Sequence, residues 1–373
     1  MNNNSNSIRI GNLFGIPFYI KPSWFFILGL VTLTYGGELA NFSGLTGILP
    51  WMLGLFAALM LFASVLAHEL GHSFAAISQG IKVKSITLFI FGGLAALEKE
   101  SETPLQSFLV AIAGPLVSVL LFGVFTLINA TVALPTPIGA IISLLAYINL
   151  VLALFNMIPG LPLDGGNVLK AIVWKATGNP NKGVIIAGRV GQVFGWLAVA
   201  IGLLGALNLI PFGSFWTLLI GLFLLQNAGF AAQSATVQDK LDGFTAEDAV
   251  IPDSPVVAGG LTLREFVNEY VIGKQKWRKF LVVDAERHLM GEVLIDDLKT
   301  IPTSEWTQVQ LAKLVKPVRE ISKIAANLSL LEVVKLIETQ NIQEMVVIKQ
   351  DEEVLGLLEK SSIFNLLQQQ AQS

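Results

Sequence analysis

Six stretches, at about residues 17–36, 50–77, 105–130, 137–158, 184–208 and 213–232, are apolar over twenty residues or more and almost free of charge. A helix needs about 20 such residues to cross the hydrocarbon core of a bilayer. Between Pro17 and Ala232 stand six acidic and eight basic residues, whereas eight of the nine aspartates lie beyond residue 232. The first part therefore belongs in lipid and the second in water. The expected fold is a polytopic α-helical membrane protein of about six transmembrane helices (1–232), a polar linker (233–243, QSATVQDKLDG) and an α/β module (244–373).

Charge placement orients the spans. Arg9, Lys21, Lys82, Lys84, Lys99, Lys170, Lys175, Lys182 and Arg189 all fall on one side of an even number of crossings, and the opposite loops, 37–49, 131–136 and 209–212, hold no lysine or arginine. The positive-inside rule then puts both termini in the cytoplasm, with a bacterial plasma membrane the expected location. The polar start MNNNSNSIRIGN shows no cleavable signal peptide. The short outward loops leave no room for an external substrate-filtering domain. Absence of cysteine excludes disulfides and thiolate chemistry, and a net charge of −3 gives no footprint for nucleic acid.

Two segments do not read as simple spans. Residues 81–97, IKVKSITLFIFGGLAAL, alternate and then break at Gly92-Gly93, the pattern of a β-hairpin. Unpaired strand edges are not tolerated in lipid, so a membrane-embedded hairpin has to pack on protein or line a cavity. In residues 156–167, NMIPGLPLDGGN, Pro159 and Pro162 end the fourth span and Gly165-Gly166 permit a tight turn. Broken helices at membrane depth usually surround a site.

Residues 68–72 read His-Glu-Leu-Gly-His. Positions i and i+4 share a helix face, so both imidazoles can reach one metal ion, while Glu69 is offset to where a base acting on water at that metal would sit. Ionisable groups inside a span are costly and usually functional. A catalytic zinc site typically has three protein ligands. Asp164, the only aspartate in the first 238 residues, lies in the broken-helix turn at a depth similar to that of the histidines. Its plainer role would be the N-cap of the short segment 165–175.

HELGH on one membrane helix, Ala113-Gly114-Pro115 on the next, and Asn156-x-x-Pro159-x-x-Pro162-Leu163-Asp164-Gly165-Gly166 together resemble the site-2 protease family of intramembrane zinc metalloproteases over about residues 10–232. The resemblance implies one zinc ion per chain, held by His68, His72 and Asp164. It also implies Glu69 as general base, Asn156 as a residue holding substrate or the developing oxyanion, and the hairpin at 81–97 as the strand that receives an unwound substrate segment. Ser118 departs from the family pattern, in which many members carry asparagine after the Gly-Pro pair.

Beyond the linker a repeat appears. Lys279–Asp284 (KFLVVD) aligns with Glu344–Lys349 (EMVVIK), Gly291 with Gly356 and Pro252 with Pro317, all at an offset of 65, and Leu261-Thr-Leu with Leu328-Ser-Leu at 67. This resembles a tandem pair of cystathionine-β-synthase (CBS) domains. Such pairs often bind adenine nucleotides, regulate an attached enzyme or transporter, and associate face to face, which implies a homodimer. Of the nucleotide signature only Asp297, a ribose contact, is present; Leu294, Glu359 and Ser362 occupy the other positions. A module without nucleotide would serve dimerisation or substrate docking. His288 reads as a surface loop residue, and Trp277 and Trp306 as packing residues.

The expected function is an intramembrane zinc endopeptidase that hydrolyses peptide bonds in or near transmembrane segments of membrane-anchored, regulatory proteins, under control of the CBS pair. The alternatives are a CBS-regulated transporter or channel, and a catalytically silent membrane scaffold.

Overall fold

Proline fits the first turn of a helix because the N–H it lacks would have no partner there. Five long helices of this chain begin that way. The computed structural model describes residues 7–42, 44–90, 92–272, 277–316 and 322–372, and its contacts divide into two units, 1–236 and 237–373.

In chain order the first unit comprises β1 (Ile8–Leu13), β2 (Ile16–Ile20), α1 (Pro22–Leu39), α2 (Leu49–Ser78), β3 (Val83–Phe89), β4 (Gly92–Leu97), α3 (Pro104–Thr131), α4 (Thr136–Asn156), α5 (Asp164–Thr177), α6 (Pro180–Ala206) and α7 (Phe215–Leu241). Five helices, α2, α3, α4, α6 and α7, are 21 to 30 residues long and apolar enough to cross a membrane. The chain is a multi-pass membrane protein. The first expected span is shorter than its apolar run, because residues 16–20 form a strand and α1 has only 18 residues. At 1.5 Å per residue α1 rises about 27 Å, slightly less than the hydrocarbon core.

The expected hairpin at 81–97 is present as β3 and β4, although Phe91 lies outside the described residues. It belongs to a larger sheet in the order β1-β2-β3-β4, antiparallel at both ends and parallel in the middle. Ile16, Phe18 and Ile20 of β2 alternate inward and pack with Ile86 and Leu88 of β3 against Trp24 and Phe62. This core holds the sheet on α2 and leaves β4 at one end of it.

The stretch 156–167 is the expected break, with a different use of its glycines. α4 stops at Asn156, the Leu161–Pro162 peptide is cis, and α5 begins at Asp164. Gly165 and Gly166 lie inside α5 and not in a turn: a Cβ at Gly165 would stand 2.4 Å from the Met157 carbonyl oxygen, and one at Gly166 would stand 2.3 Å from the Gly160 carbonyl carbon. These glycines let the incoming chain lie directly on the helix. The residues 233–243, expected as a linker, continue α7 in helical conformation as far as Leu241.

The second unit contains β5 (Val256–Ala258), α8 (Leu263–Phe266), β6 (Lys279–Val283), β7 (Leu289–Leu294), β8 (Ser322–Ala325), α9 (Leu330–Gln340), β9 (Glu344–Ile348), β10 (Val354–Glu359) and α10 (Lys360–Gln372). It forms two three-stranded sheets of identical plan, β5-β6-β7 and β8-β9-β10, each with one parallel and one antiparallel pair. The central strands are buried on both faces. Phe280 and Val282 of β6 enter the first repeat's own core, Met345 and Val347 of β9 enter the second's, and Leu281, Val283 and Val346 meet in a core shared by both sheets. Lys279 forms an ion pair with Glu344, the residue 65 positions on and therefore its repeat equivalent. This duplicated plan is the one that the resemblance to a tandem CBS pair implies. Trp277 and Trp306 pack against the first repeat's core as expected. Pro317 lies outside the described residues.

Candidate metal centre

α2 carries His68 and His72 one turn apart, and their rings meet edge to face. α5 brings Asp164 to them from 96 residues away: its Oδ2 lies 3.1 Å from His68 Nε2 and 3.3 Å from His72 Nε2, and the two Nε2 atoms are 3.2 Å apart. The far side of each ring is held by α3. His72 Nδ1 donates to the Val110 carbonyl oxygen at 2.7 Å, and His68 Nδ1 lies 2.9 Å from the Ser118 hydroxyl. Asp164 is not an N-cap: Leu163 holds that position, and Asp164, the first helical residue, turns its carboxylate to the imidazoles.

The donor set fits a metal ion. With Nδ1 of His72 committed as a donor, its neutral ring offers a lone pair at Nε2, facing a carboxylate oxygen that can only accept. Acceptors 3.1 to 3.3 Å apart are stable when a cation sits among them. The spacing is also that of a tetrahedron edge, about 3.3 Å for zinc bonds of 2.0–2.1 Å. Gly114 of α3 keeps the space open: a Cβ there would fall 2.2 Å from His72 Nε2 and 2.8 Å from His68 Nε2. Among the described residues, His68, His72 and Asp164 form the cluster able to hold a metal ion.

Glu69 points to the sheet. A Cβ on Gly93 of β4 would stand 2.3 Å from Glu69 Cγ, and the Ala95 backbone N–H faces the carboxylate. Glu69, both histidines, Asp164, Asn156 and residues 92–95 line one cavity of about 340 Å³. Sequence reasoning gave no metal-site role to Ser118 or Val110, whose partnership with the rings is tertiary. It also missed Lys170 and Glu100 on the same cavity wall.

Asp297 and His288 lie in the second unit. One Asp297 oxygen accepts from the Leu294 backbone N–H at 3.1 Å and the other pairs with Lys316, so this side chain caps its own turn, Ile295–Thr300. That engagement runs against the expected ribose contact. His288 bridges the two repeats' turns, with Nε2 3.0 Å from the Asp351 carbonyl oxygen and Nδ1 3.4 Å from Asp284 Oδ2.

Comparison with known proteins agrees with this geometry. Residues 56–140 and 123–198 match Peptidase family M50. A Synechocystis protein bearing the name zinc metalloprotease sll0528 is 60% identical over 98% of this chain and 97% of its own. Zinc metalloprotease MJ0392 of Methanocaldococcus jannaschii is 30% identical over 74% of this chain and 75% of its own. The solved structure of the site-2 protease from Methanocaldococcus jannaschii is 28% identical, covers 61% of this chain and 95% of its own, and superposes with a TM-score of 0.45. With a 60% identical relative matched along nearly its whole length, this chain belongs to peptidase family M50, the site-2 protease family of zinc metalloproteases.

Proposed function

We propose that this zinc metalloprotease cuts peptide bonds in or near the transmembrane segments of membrane-anchored, regulatory proteins, using His68, His72 and Asp164 as zinc ligands and Glu69 as general base. The observation that carries this reading is three donor atoms within 3.3 Å of one another, beside a glutamate and an open strand edge, among helices able to cross a membrane.

Zinc, when bound, supplies Lewis acidity that acidifies water and polarises the scissile carbonyl. Glu69 takes a proton from the attacking water and returns it to the leaving nitrogen, so that water and peptide become a carboxylic acid and an amine. The Ala95 N–H and the packing against Gly93 fix the Glu69 carboxylate in the cavity. Asn156, at the end of α4, lines the same wall, and in this reading its amide donates to the carbonyl oxygen as charge develops there. A substrate helix has its carbonyls locked in intrahelical bonds, and the free edge of β4 can satisfy the groups released when that helix unwinds.

The distribution of lysine and arginine supports cytoplasmic termini, and a bacterial plasma membrane suits that orientation. The CBS pair acts as a regulatory module through homodimerisation or substrate docking. The engagement of Asp297 with Leu294 and Lys316 argues against adenine nucleotide as its effector.

Zinc content and cleavage of a model transmembrane substrate, measured on detergent-purified protein, test the proposal. About one zinc per chain is expected in the wild type and in Glu69→Gln, none in His68→Ala and less in Asp164→Asn, with cleavage by the wild type alone. A folded wild type without zinc would defeat the reading. So would a Glu69→Gln variant that cuts as well as the wild type.

A further inference from the structure

The cavity that holds the metal donors also holds a cation largely withdrawn from water. Lys170, on α5, lines the wall with only 16% of its side chain exposed. Among the described residues of that wall it is the only lysine or arginine. Its backbone is clamped, since a Cβ on Gly183 of α6 would stand 2.5 Å from the Lys170 carbonyl oxygen. Its partner is Glu100, 3.3 Å away, in the loop that follows β4. Glu100 is 90% exposed. A buried ammonium needs a counter-charge, and a carboxylate that keeps its own water is a weak one. A carboxylate entering the cavity would be desolvated together with Lys170 and would form the stronger pair.

The position of Lys170 relates to the site. It follows Asp164 by six residues of helix, about 9 Å along the axis. An extended chain covers that distance in about three residues at 3.3 Å each. On the other wall Glu69 sits against Gly93, and the chain runs on through β4 to Glu100. A strand laid along the outer edge of β4 past Glu69 therefore brings a side chain about three residues from the scissile bond to the Lys170–Glu100 pair.

We propose that Lys170 is a specificity-determining residue that selects an acidic side chain about three residues from the cleaved bond, the incoming carboxylate replacing Glu100 as its partner. This rests on the peptidase reading above. Glu100 is then an internal stand-in for substrate, bound while the cavity is free and released into water when substrate enters.

The test uses the full-length protein with model transmembrane substrates carrying Asp, Asn or Lys at each of four positions on either side of the cleaved bond. The readout is the Asp-to-Asn ratio of kcat/KM. The same ratio is read for binding, by crosslinking the substrates to the non-cleaving Glu69→Gln protein. The wild type should prefer Asp by about tenfold or more at one position. Lys170→Gln should bring the ratio close to unity, Lys170→Arg should restore it, and Lys170→Glu should shift the preference to Lys. Removing the competitor with Glu100→Gln should raise the preference for Asp. Zinc content and helical circular dichroism verify that each variant is folded. An Asp preference that persists in folded Lys170→Gln, or a wild type indifferent to charge at every position, would overturn the proposal. A charge preference in binding without cleavage by the wild type would sink the peptidase reading and leave the selectivity standing; cleavage without preference would do the reverse.

Discussion

The Gly114→Ala substitution adds one carbon at the place where a metal ion has to fit. That carbon would lie 2.2 Å from His72 Nε2 and 2.8 Å from His68 Nε2, where ordinary contact begins at 3.4 Å. The His72 ring has to retreat by about 1.2 Å, several times the roughly 0.2 Å that a metal–ligand distance tolerates. It cannot retreat freely, because Nδ1 is tied at 2.7 Å to Val110, on the same helix as Gly114. Backing α3 away would open the close α2–α3 packing at Gly71, where a Cβ would stand only 2.9 Å from the Ala113 carbonyl oxygen. Zinc affinity should therefore fall by about 100-fold or more. The helix itself does not suffer, since alanine is favoured over glycine in a helix interior by about 1 kcal/mol. Metal per chain is measured by mass spectrometry after dialysis against a zinc buffer. Gly123→Ala serves as the control, because its Cβ meets nothing within 4 Å on the same helix. Wild-type zinc affinity in a folded Gly114→Ala protein would refute the assignment of these three donors.

Three further outcomes follow from the contacts. Ser118→Ala removes the hydroxyl beside His68 Nδ1 and should lower zinc affinity by about tenfold while leaving the helical spectrum intact, and an unchanged affinity would show that the ring needs no partner there. Asp297→Asn replaces the carboxylate that caps the Leu294 turn and pairs with Lys316; because Lys316 is 60% exposed, the expected loss is only about 1 kcal/mol, read from urea unfolding of the full chain, with zinc content unaffected. The Glu265 carboxyl is held below its ordinary range, first by the Thr262 backbone N–H and then by the Thr262 hydroxyl. A depressed pKa means that this cap is fully present above the ordinary glutamate value and is lost as the pH falls through the lowered one, so protection of the Thr262 amide, taken relative to its intrinsic exchange rate at each pH, should fall on acidification in the wild type and be low already at neutral pH in Glu265→Ala.

Much of the site was legible because its residues obey local rules. His68 and His72 are one turn apart, and Asp164 sits where prolines break a helix, at a depth fixed by counting spans. The partners that orient the rings were not legible: the position of Ser118 after the Gly-Pro pair could be read, but its contact with His68, 50 residues away, depends on how α3 packs on α2. The duplicated module was visible as a repeat, since strands buried on both faces leave apolar runs at a fixed offset. β1 and β2 were hidden for two reasons. β1 is largely exposed, so its side chains record no inward face, and the alternation of β2 runs directly into the apolar residues of α1. The helical course of 233–241 was hidden by polar residues that signal solvent but do not break a helix. For Asp297 the motif position was readable, but its hydrogen bond to Leu294 and its pairing with Lys316 depended on the folded turn.

Glycine explains why the metal donors and the base come from pieces so distant in sequence. Two histidines on one helix can present two corners of a site, and the third must arrive on another element close enough to share it. That closeness needs backbone where side chains would normally be. Gly166 lets the chain before Asp164 fold back onto α5, Gly114 lets α3 pass behind both imidazoles, and Gly93 lets a strand touch Glu69, each at a distance no Cβ could occupy. Of the three, Gly93 lies on the cavity wall itself, beside Glu69. Side chains at these positions would separate the elements before they altered any ligand. The chemistry thus depends as much on what residues 93, 114 and 166 lack as on what residues 68, 69, 72 and 164 carry.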